Sequence, residues 1–325
     1  MYLAGDLGGT KTHLGLFAEA AGRPTPRVVR EYTTLDYPGL PAMVDAFLVE
    51  AGVAPGEITS TCFGVAGPIH DGVADMTNVP WHVDAREIHE RNGLARVALL
   101  NDVEALVYAV PVLAGNELVT LHPGTPVGGA NATLITVGTG FGQAFIHYVD
   151  GRTLPLPSEG GHIDFAARTG REIELLQYLT ARYGRVDVER VVSGRGLANV
   201  AEFTHGGACA VAGADLDPAA VPAAVSQAAM QGRCPRCREA LDLFVAALGS
   251  AAGNAAIMGV ARGGVFIGGG IPAKILPALQ GDLFVTPFRS KPPMHELLAS
   301  IPVFVITHTE AGLLGAAVHA ASASA

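Results

Sequence analysis

Two short glycine-rich segments have the pattern of a phosphate-binding turn. One is Asp6-Leu7-Gly8-Gly9-Thr10, near the start of the chain, and the other is Gly138-Thr139-Gly140. Glycines leave backbone N–H groups open to a ligand, and converging N–H dipoles bind phosphate oxygens. A carboxylate beside a phosphate is repulsive by itself, so Asp6 fits this chemistry if Mg²⁺ lies between them, directly or through water. Taken alone, either segment is equally well explained as an ordinary hairpin turn.

A third glycine cluster, Gly268-Gly269-Gly270, follows a predicted strand. Together with the two turns it favours a nucleotide site over three unrelated loops. It is not part of a Walker loop, because the only similar segment, Lys11-Thr12, leads into a strand rather than a helix. A dinucleotide fingerprint drawn through these glycines lacks the acidic residue expected about 20 positions later. The protein-kinase signature is absent as well.

A carboxylate follows a short apolar strand in Leu99-Leu100-Asn101-Asp102. The carboxyl ends of such strands are where α/β sheets build their sites. The next residues favour a helix, so Asp102 is either its N-cap or an active-site carboxylate, and the two roles are compatible. A helix N-terminus favours an ionised carboxylate, and a general base that accepts a hydroxyl proton during phosphoryl transfer must start ionised.

A second polar group is found in Ser158-Glu159-Gly160-Gly161-His162, where a carboxylate and an imidazole flank two glycines. Such a pair suits hydrogen bonds to several hydroxyls of a sugar. The alternative is a plain loop with a solvated glutamate and a capping histidine. Glu189, which precedes Arg190-Val191-Val192-Ser193-Gly194, is uninformative by itself.

The cysteines include one close pair, Cys234-Pro235-Arg236-Cys237, and no second pair follows it. Two thiols alone make a poor structural zinc site, and a thioredoxin-like role needs a different surrounding pattern. We therefore expect ordinary thiols, with a metal or redox role as the alternative.

Composition limits the class of protein. The 325 residues suggest about two domains, and the 49% of hydrophobic residues exclude a disordered chain. The net charge of −9 and the lack of a Lys/Arg run argue against binding nucleic acid through its phosphates. Only four cysteines and no secretory leader at the N-terminus predict a cytoplasmic protein.

One uncharged stretch, 243–261, is long enough to span a membrane. It consists mainly of alanine and glycine and contains Ser250 and Asn254. We therefore interpret it as a buried helix of a soluble core, whose small residues pack closely on a sheet.

The elements that position these residues follow a mixed α/β pattern, which we interpret as an α/β fold with a weak internal duplication. Each half opens with a strand, a glycine turn and a second strand. The first of these hairpins covers 2–17, and the second lies about 130 residues later. We expect the alanine-rich 208–229 to form surface helices or an insertion, and 322–325 to be a frayed tail. Further predicted strands cover 61–66, 96–100 (continuously apolar after its first residue and fully buried), 133–137, 143–148, 264–267 and 301–306. Predicted helices cover 40–51, with Gly52 as its cap, 103–110, 171–183, 239–258 and 312–321.

The sequence resembles the bacterial glucokinase family, within the sugar kinase/actin superfamily. Nine segments carry the resemblance, in the family's order and across essentially the whole chain: GDLGGTKTHLGLF, MTNVPWHVD, LLNDVEALVYAVPVL, VGTGFGQAFI, SEGGHIDFA, ERVVSGRGL, CPRCREALDLF, GGVFIGGGIPAKI and AGLLGAAVHA. Two features distinguish this family from the related repressor/open-reading-frame/kinase family, and they point in opposite directions. The range 163–175 lacks the cysteine-rich zinc motif of the related family, whereas Thr10-Lys11 is closer to that family.

The resemblance implies a two-domain, actin-like/ribonuclease H-like sugar kinase fold with an interdomain cleft. The small α/β domain would span 1–110 and be completed by a C-terminal helix at 312–325, and the large one would span 111–311.

The resemblance also implies ligand contacts for the polar residues above. Asn101, Asp102, Glu159, His162 and Glu189 would bind hexose hydroxyls, with Asp102 accepting the proton. Gly5, Asp6, Leu7, Gly8, Gly9 and Thr10 would contact phosphate, with Asp6 holding Mg²⁺ through water. Gly138, Thr139 and Gly140 would form the second phosphate loop, and Gly268, Gly269 and Gly270 would flank adenosine.

The implied activity is ATP-dependent phosphorylation of D-glucose to glucose 6-phosphate with Mg²⁺. A kinase for mannose, fructose or an amino sugar is the alternative, because the same polar residues serve several hexoses. A repressor on the same fold would need a DNA-binding helix pair, for which the position of Asp6 leaves no room. A filament-forming ATPase fits poorly with the sugar-binding residues. We expect no nucleic acid or membrane partner, and the family suggests a homodimer.

Overall fold

The computed structural model describes residues 1–20, 22–77, 79–207, 209 and 217–323. The chain folds into two compact units. The first comprises Met1–Ala114 together with His308–Ala325, and the second comprises Gly115–Thr307. The chain thus leaves the first unit after Ala114 and returns to it for its last helix.

The first unit begins with a strand, a tight turn and a second strand, as the glycine pattern predicts. Its elements, in chain order, are β1 (Tyr2–Leu7), β2 (Lys11–Ala18), β3 (Thr25–Thr33), α1 (Leu40–Ala51), β4 (Ser60–Val65), β5 (Ile69–His70), β6 (Val73–Asp75), β7 (His82–Asp84), α2 (Ala85–Asn92), β8 (Val97–Asn101) and α3 (Asp102–Ala109). The main sheet has the order β3-β2-β1-β4-β8. β1 pairs antiparallel with β2 and parallel with β4, whereas β5, β6 and β7 form a small separate sheet.

The second unit repeats this plan with more helices. Its elements are β9 (Leu118–His122), β10 (Ala132–Val137), β11 (Phe141–Val149), β12 (Arg152–Ser158), α4 (Gly170–Tyr183), α5 (Gly194–His205), α6 (Val221–Met230), α7 (Pro235–Gly259), β13 (Gly264–Gly268), α8 (Leu276–Leu279), α9 (Asp282–Arg289), α10 (His295–Ser300) and β14 (Val303–Ile306). The last helix of the chain, α11 (Ala311–Ser322), belongs to the first unit. Short 3₁₀ turns lie at Thr34–Asp36, Pro55–Glu57, Val110–Val112, Gly115–Glu117 and Gly160–His162.

The five strands of the first main sheet have equivalents in the second, which adds β9 at one edge, and this shared order supports the internal duplication. In the second unit the order is β12-β11-β10-β13-β14-β9. β10 pairs antiparallel with β11 and parallel with β13, just as β1 pairs with β2 and β4. Each glycine turn therefore lies at the same end of equivalent strands, next to the carboxyl ends of the parallel strands.

The long uncharged helix packs against another helix through its glycines. A Cβ on Gly249 or Gly253 would collide with the backbone carbonyl of Phe284 or Phe288 in α9. By length and composition alone α7 is apolar enough to cross a membrane, but most of it is buried within the fold. The placement is that of the core helix predicted from the sequence: Gly249 and Gly253 admit α9, and the helix also packs against β10 and β13 of the sheet.

One expectation was wrong. β8 was expected to be fully buried, but it is the edge strand of its sheet and each of its residues is half-buried. The alanine-rich region was expected to form surface helices or an insertion; α6 is a helix with one exposed face, and its other face, with Val225 and Ala228, is buried in the core of the second unit. Alanine allows α6 to approach α7 closely, and composition alone does not reveal which faces a neighbour covers. Residues 208, 210–216, 324 and 325 of the predicted regions lie outside the described part.

Candidate active site

The first glycine turn joins β1 to β2 and is held in place by a threonine. The N–H of Gly8 donates to the carbonyl of Lys11 at 3.0 Å, and a Cβ on Gly8 would lie only 2.7 Å from that oxygen. The buried Thr34 donates its hydroxyl to the Gly8 carbonyl at 2.8 Å and its N–H to the Thr10 carbonyl at 3.0 Å. Thr34 thus fixes both ends of the turn. The sequence analysis did not find it, because it lies far along the chain and outside any motif.

Asp6, at the end of β1, is a carboxylate in an environment that disfavours its charge. Burial raises the pKa of Asp6 to about 6, the charge of Asp102 adds to this rise, and His13 opposes it. The carboxylate lies against the first turn of α11, where a Cβ on Gly312 would come within 2.7 Å of Oδ2. Within the described ranges no salt bridge reaches Asp6. A carboxylate oxygen that lacks a paired cation suits a hard cation, so these residues fit the predicted Mg²⁺.

Asn101, not Asp102, is the N-cap of α3. The Asn101 side chain accepts the N–H of Val103 at 3.0 Å, and Glu104 reaches back to the N–H of Asn101 at 3.2 Å, which forms a capping box. The Asn101 amide also donates to the carbonyl of Gly67 at 3.0 Å. Asp102 is therefore the first residue of the helix and is not needed as its cap.

The Asp102 carboxyl group lies at the positive end of α3 and remains accessible to solvent. Its Oδ1 accepts the N–H of Val103 at 2.9 Å. Removal of water by the surrounding protein raises the pKa of Asp102, and hydrogen bonds from Val103 and from its own backbone offset part of this rise. A carboxylate with a raised pKa and access to a ligand has the properties of a general base.

The second glycine turn joins β10 to β11 and is supported by Glu189. The N–H of Gly138 donates to the carbonyl of Gly140 at 2.9 Å, and the N–H of Gly194 donates to the carbonyl of Gly138 at 2.8 Å. Glu189 Oε2 accepts the N–H of Phe141 at 2.8 Å. A Cβ on Gly140 would lie 2.6 Å from the same oxygen, so glycine is required for this contact.

A cavity of about 670 Å³ opens beside this turn within the second unit. Its volume is that of a pocket for a nucleotide-sized ligand. Of the residues predicted for adenosine and phosphate, Gly138, Thr139 and Gly270 line it. Gly140, Gly268 and Gly269 do not. Gly269 instead has a φ of 93° and makes the tight turn after β13, where a Cβ would lie 2.5 Å from the carbonyl of Val137.

The cavity also contains cationic residues that the sequence analysis missed. Arg195, in the first turn of α5, and Lys274, after the third glycine cluster, both line it. The N-terminus of α5 carries a partial positive charge, and Ser193 caps it through the N–H of Gly196 at 2.8 Å. The opposite wall comes from α6 and the residues before it, including Asp217 and Ser226. The basic residues and the helix N-terminus favour an anionic ligand.

The residues predicted to bind hexose in the second unit lie on two loops joined by backbone hydrogen bonds. The N–H of Glu189 donates to the carbonyl of Gly161 at 2.9 Å. His162 lies 4.0 Å from Glu159 Oε2 through its Nε2 and 3.4 Å from Asp187 Oδ2 through its Nδ1. Asp187, which the sequence analysis missed, thus orients His162. Asn101 and Asp102 belong to the first unit, so the five predicted residues fall into two groups.

Cys234 and Cys237, expected to be ordinary thiols with a metal or redox role as the alternative, have two further potential ligands beside them. His205 and Cys209 join them in one cluster, outside the cavity and the hexose loops. None of the four cysteines, all of which are described, forms a disulfide.

Known proteins are similar to this chain over nearly its whole length. A glucokinase from Mesorhizobium japonicum is 37% identical over 99% of this chain and 92% of its own length. A glucokinase from Nostoc sp. is 36% identical over 99% of both chains. The crystal structure of a glucokinase from an Antarctic psychrotroph superimposes with a TM-score of 0.87 at 30% identity, covering 99% of this chain and 98% of the other. The fold is that of the actin-like sugar kinases. The glucokinase family model matches residues 3–323, and the chain therefore belongs to the glucokinase family.

Proposed function

We propose that this chain transfers the γ-phosphoryl group of ATP to the 6-hydroxyl of D-glucose. The hydroxyl oxygen forms a bond to the γ-phosphorus as its proton passes to Asp102. The bond from that phosphorus to the bridging oxygen breaks, and ADP leaves with the electron pair. The products are glucose 6-phosphate and ADP. Phosphoryl transfer needs positioning, charge neutralisation and one base, and little covalent chemistry from the protein.

The observation that carries this proposal is the position of Asp102. Asn101 supplies the cap and fixes the start of α3, which leaves the Asp102 carboxylate available to accept a proton. The N–H of Val103 orients it and favours its ionised form. A carboxylate required for capping would be unable to move a proton without weakening the helix.

ATP occupies the cavity of the second unit, where Gly138 and Thr139 contact phosphate and Gly270 flanks adenosine. The turn that includes Gly8, Gly9 and Thr10 also contacts phosphate, together with the neighbouring Gly5 and Leu7. Asp6 holds Mg²⁺, directly or through water. When bound, the metal neutralises charge on the phosphate oxygens.

Glucose hydroxyls are bound by Asn101, Asp102, Glu159, His162 and Glu189. Carboxylates accept hydrogen bonds from hydroxyls, and the amide of Asn101 and the ring of His162 both donate and accept. Because Asp187 Oδ2 lies 3.4 Å from Nδ1 of His162, this carboxylate orients the imidazole toward its ligand. Such a set discriminates between hexoses by leaving a polar group unpaired when a hydroxyl is misplaced.

Steady-state kinetics with a panel of hexoses tests the substrate. We expect kcat/KM for glucose with ATP and Mg²⁺ to exceed that for mannose, fructose and glucosamine by at least about 10-fold, the cost of roughly one unpaired polar group. A higher kcat/KM for another hexose would identify that hexose as the substrate instead of glucose and would leave the proposed fold and reaction unchanged. We also propose that the protein is a cytoplasmic homodimer that needs no nucleic acid or membrane. Light scattering of the purified protein tests whether it is a dimer.

A further inference from the structure

Four potential metal ligands from three places in the chain converge in the second unit. His205 Nε2 and the Sγ atoms of Cys209, Cys234 and Cys237 all lie within 4.8 Å of one another. Cys234 and Cys237 are buried, and Cys209 is half-buried. Three thiols and one imidazole are a common ligand set of structural zinc sites.

Three distances between the ligand atoms are close to those of a tetrahedron around zinc. Zn–S bonds of about 2.3 Å and Zn–N bonds of about 2.0 Å separate two sulfurs by roughly 3.8 Å and a sulfur from a nitrogen by roughly 3.5 Å. Here Cys209 Sγ and Cys237 Sγ are 3.5 Å apart. His205 Nε2 is 3.3 Å from Cys234 Sγ and 3.8 Å from Cys237 Sγ. The remaining pairs lie within 4.8 Å, so small shifts bring all four atoms onto one metal ion.

His205 presents the correct nitrogen. Its Nδ1 lies 2.7 Å from the carbonyl of Ala201, which accepts a hydrogen bond only if Nδ1 carries the proton. Nε2 then has a free lone pair directed at the thiols. This second hydrogen bond of the imidazole to a backbone carbonyl is the usual way in which proteins orient a metal-ligating histidine.

The cluster joins the end of one helix to the start of another. His205 is the last residue of α5, and Cys234 is the N-cap of α7, where its Sγ accepts the N–H of Cys237 at 3.4 Å. Between them the chain forms α6, which contributes a wall of the nucleotide cavity. A metal bound here would fasten both ends of this segment.

We infer that His205, Cys209, Cys234 and Cys237 bind one Zn²⁺, which closes the segment between α5 and α7 and supports the α6 wall of the cavity. The site is structural rather than catalytic, because four protein ligands leave no open position for substrate. Zinc binding displaces the thiol protons to solvent and changes no oxidation state.

Metal analysis of the full-length protein tests the inference without relying on enzyme activity. The protein is produced in zinc-supplemented medium, dialysed, and analysed by mass spectrometry for metals. We expect about one zinc per chain in the wild type and at least a tenfold lower zinc content in Cys209→Ser. The matched control is Cys62→Ala, which removes a buried thiol of the first unit and should retain the metal.

Two further measurements keep the result decisive if Cys209→Ser folds poorly. Replacement of zinc by Co²⁺ in the wild type should give the intense visible bands of a four-coordinate thiolate site. Removal of zinc by a chelator should lower Tm and raise KM for ATP more than KM for glucose, because α6 borders only the nucleotide cavity.

Wild-type protein that binds neither zinc nor Co²⁺ would overturn the inference, whether its thiols are reduced or oxidised. In particular, a metal-free protein whose mass shows the loss of two hydrogens would contain a disulfide instead, and peptide mapping would show whether it joins Cys209 to Cys237. Zinc retained at wild-type level by Cys209→Ser, Cys237→Ser and His205→Ala would likewise place the metal elsewhere.

Discussion

Asp6 and Asp102 are electrostatically coupled within the first unit. Burial is the larger cause of the raised pKa of Asp6, and the negative charge of Asp102 adds to it, bringing the value to about 6. The ordinary value is 3.8. Between these values the folded protein holds a proton on Asp6 that the unfolded chain has already lost. The fold therefore tolerates an unfavourable charge at the position that the proposed Mg²⁺ would neutralise.

This coupling predicts the pH dependence of stability. Because the pKa of Asp6 is raised on folding, the free energy of unfolding should fall as pH increases from about 4 to 6, by up to about 3 kcal/mol in the absence of Mg²⁺. Asp6→Asn should remove this dependence and be more stable than the wild type at pH 7, yet inactive. Urea unfolding at a series of pH values measures the free energy of unfolding and its slope against pH. The exposed Asp36→Asn serves as control, and an unchanged slope in Asp6→Asn would contradict the prediction.

Gly312 should be essential although it contacts no substrate directly. A Cβ there would lie 2.7 Å from Asp6 Oδ2, so Gly312→Ala must displace the carboxylate. Alanine favours a helix, yet we expect kcat to fall about 10- to 100-fold, since small displacements in a site are costly. Gly56→Ala is the control, because a Cβ at Gly56 meets no atom within 4 Å. Kinetics of Gly312→Ala equal to those of Gly56→Ala would show that Asp6 need not occupy this position.

Glu189 should contribute to both stability and hexose binding, whereas Glu159 should contribute only to binding. Loss of the bond from Glu189 to the N–H of Phe141 in Glu189→Ala should cost about 1.5–3 kcal/mol of unfolding free energy and raise KM for glucose. Glu189→Gln retains an acceptor oxygen, so it should keep most of the stability and still bind glucose weakly. The exposed Glu159→Ala should raise KM and change stability by less than about 0.5 kcal/mol. Equal stability losses in Glu159→Ala and Glu189→Ala would refute this division.

The two cations of the cavity should act on ATP and not on the sugar. Lys274→Ala and Arg195→Ala should each raise KM for ATP about 10-fold, the value of one hydrogen bond to a charged group. KM for glucose should change less than about twofold. Arg152→Ala, at an exposed position in the same unit, controls for the lost charge. An effect of Lys274→Ala confined to glucose would mean that the cavity is not the nucleotide site.

The local pattern of the sequence is sufficient to predict most of the elements of this fold. Glycine turns, apolar periodicity and caps such as Gly52, with φ 66°, depend on neighbouring residues, and these predictions are confirmed. Burial is less predictable, because it depends on which element lies alongside. The apolar residues of β8 suggested a central strand, but only the sheet order shows that it is an edge strand.

The residues of the candidate site likewise divide into those that the local sequence could predict and those that it could not. Asp102 could be recognised from its place after a strand, but whether it or Asn101 caps α3 depends on hydrogen bonds that spacing does not specify. Thr34 and Asp187 lie outside the segments that carry the resemblance, and Gly312 lies inside one that was assigned no role. Each of the three acts through a contact with a distant part of the chain. Likewise, the pair Cys234 and Cys237 was visible, whereas its two partners become apparent only once α5 and α7 are packed together.

The most direct test of the central claim is the rate of ATP-dependent glucose phosphorylation by Asp102→Asn beside the wild type, with ATP affinity measured on the same samples. Asparagine retains an oxygen for the N–H of Val103, so α3 should remain intact. We predict that kcat falls about 10²- to 10⁴-fold, as expected for loss of a general base. ATP affinity should stay within about twofold of the wild type, well below the loss of one hydrogen bond. Undiminished turnover in Asp102→Asn would show that this carboxylate only begins a helix and that another group accepts the proton.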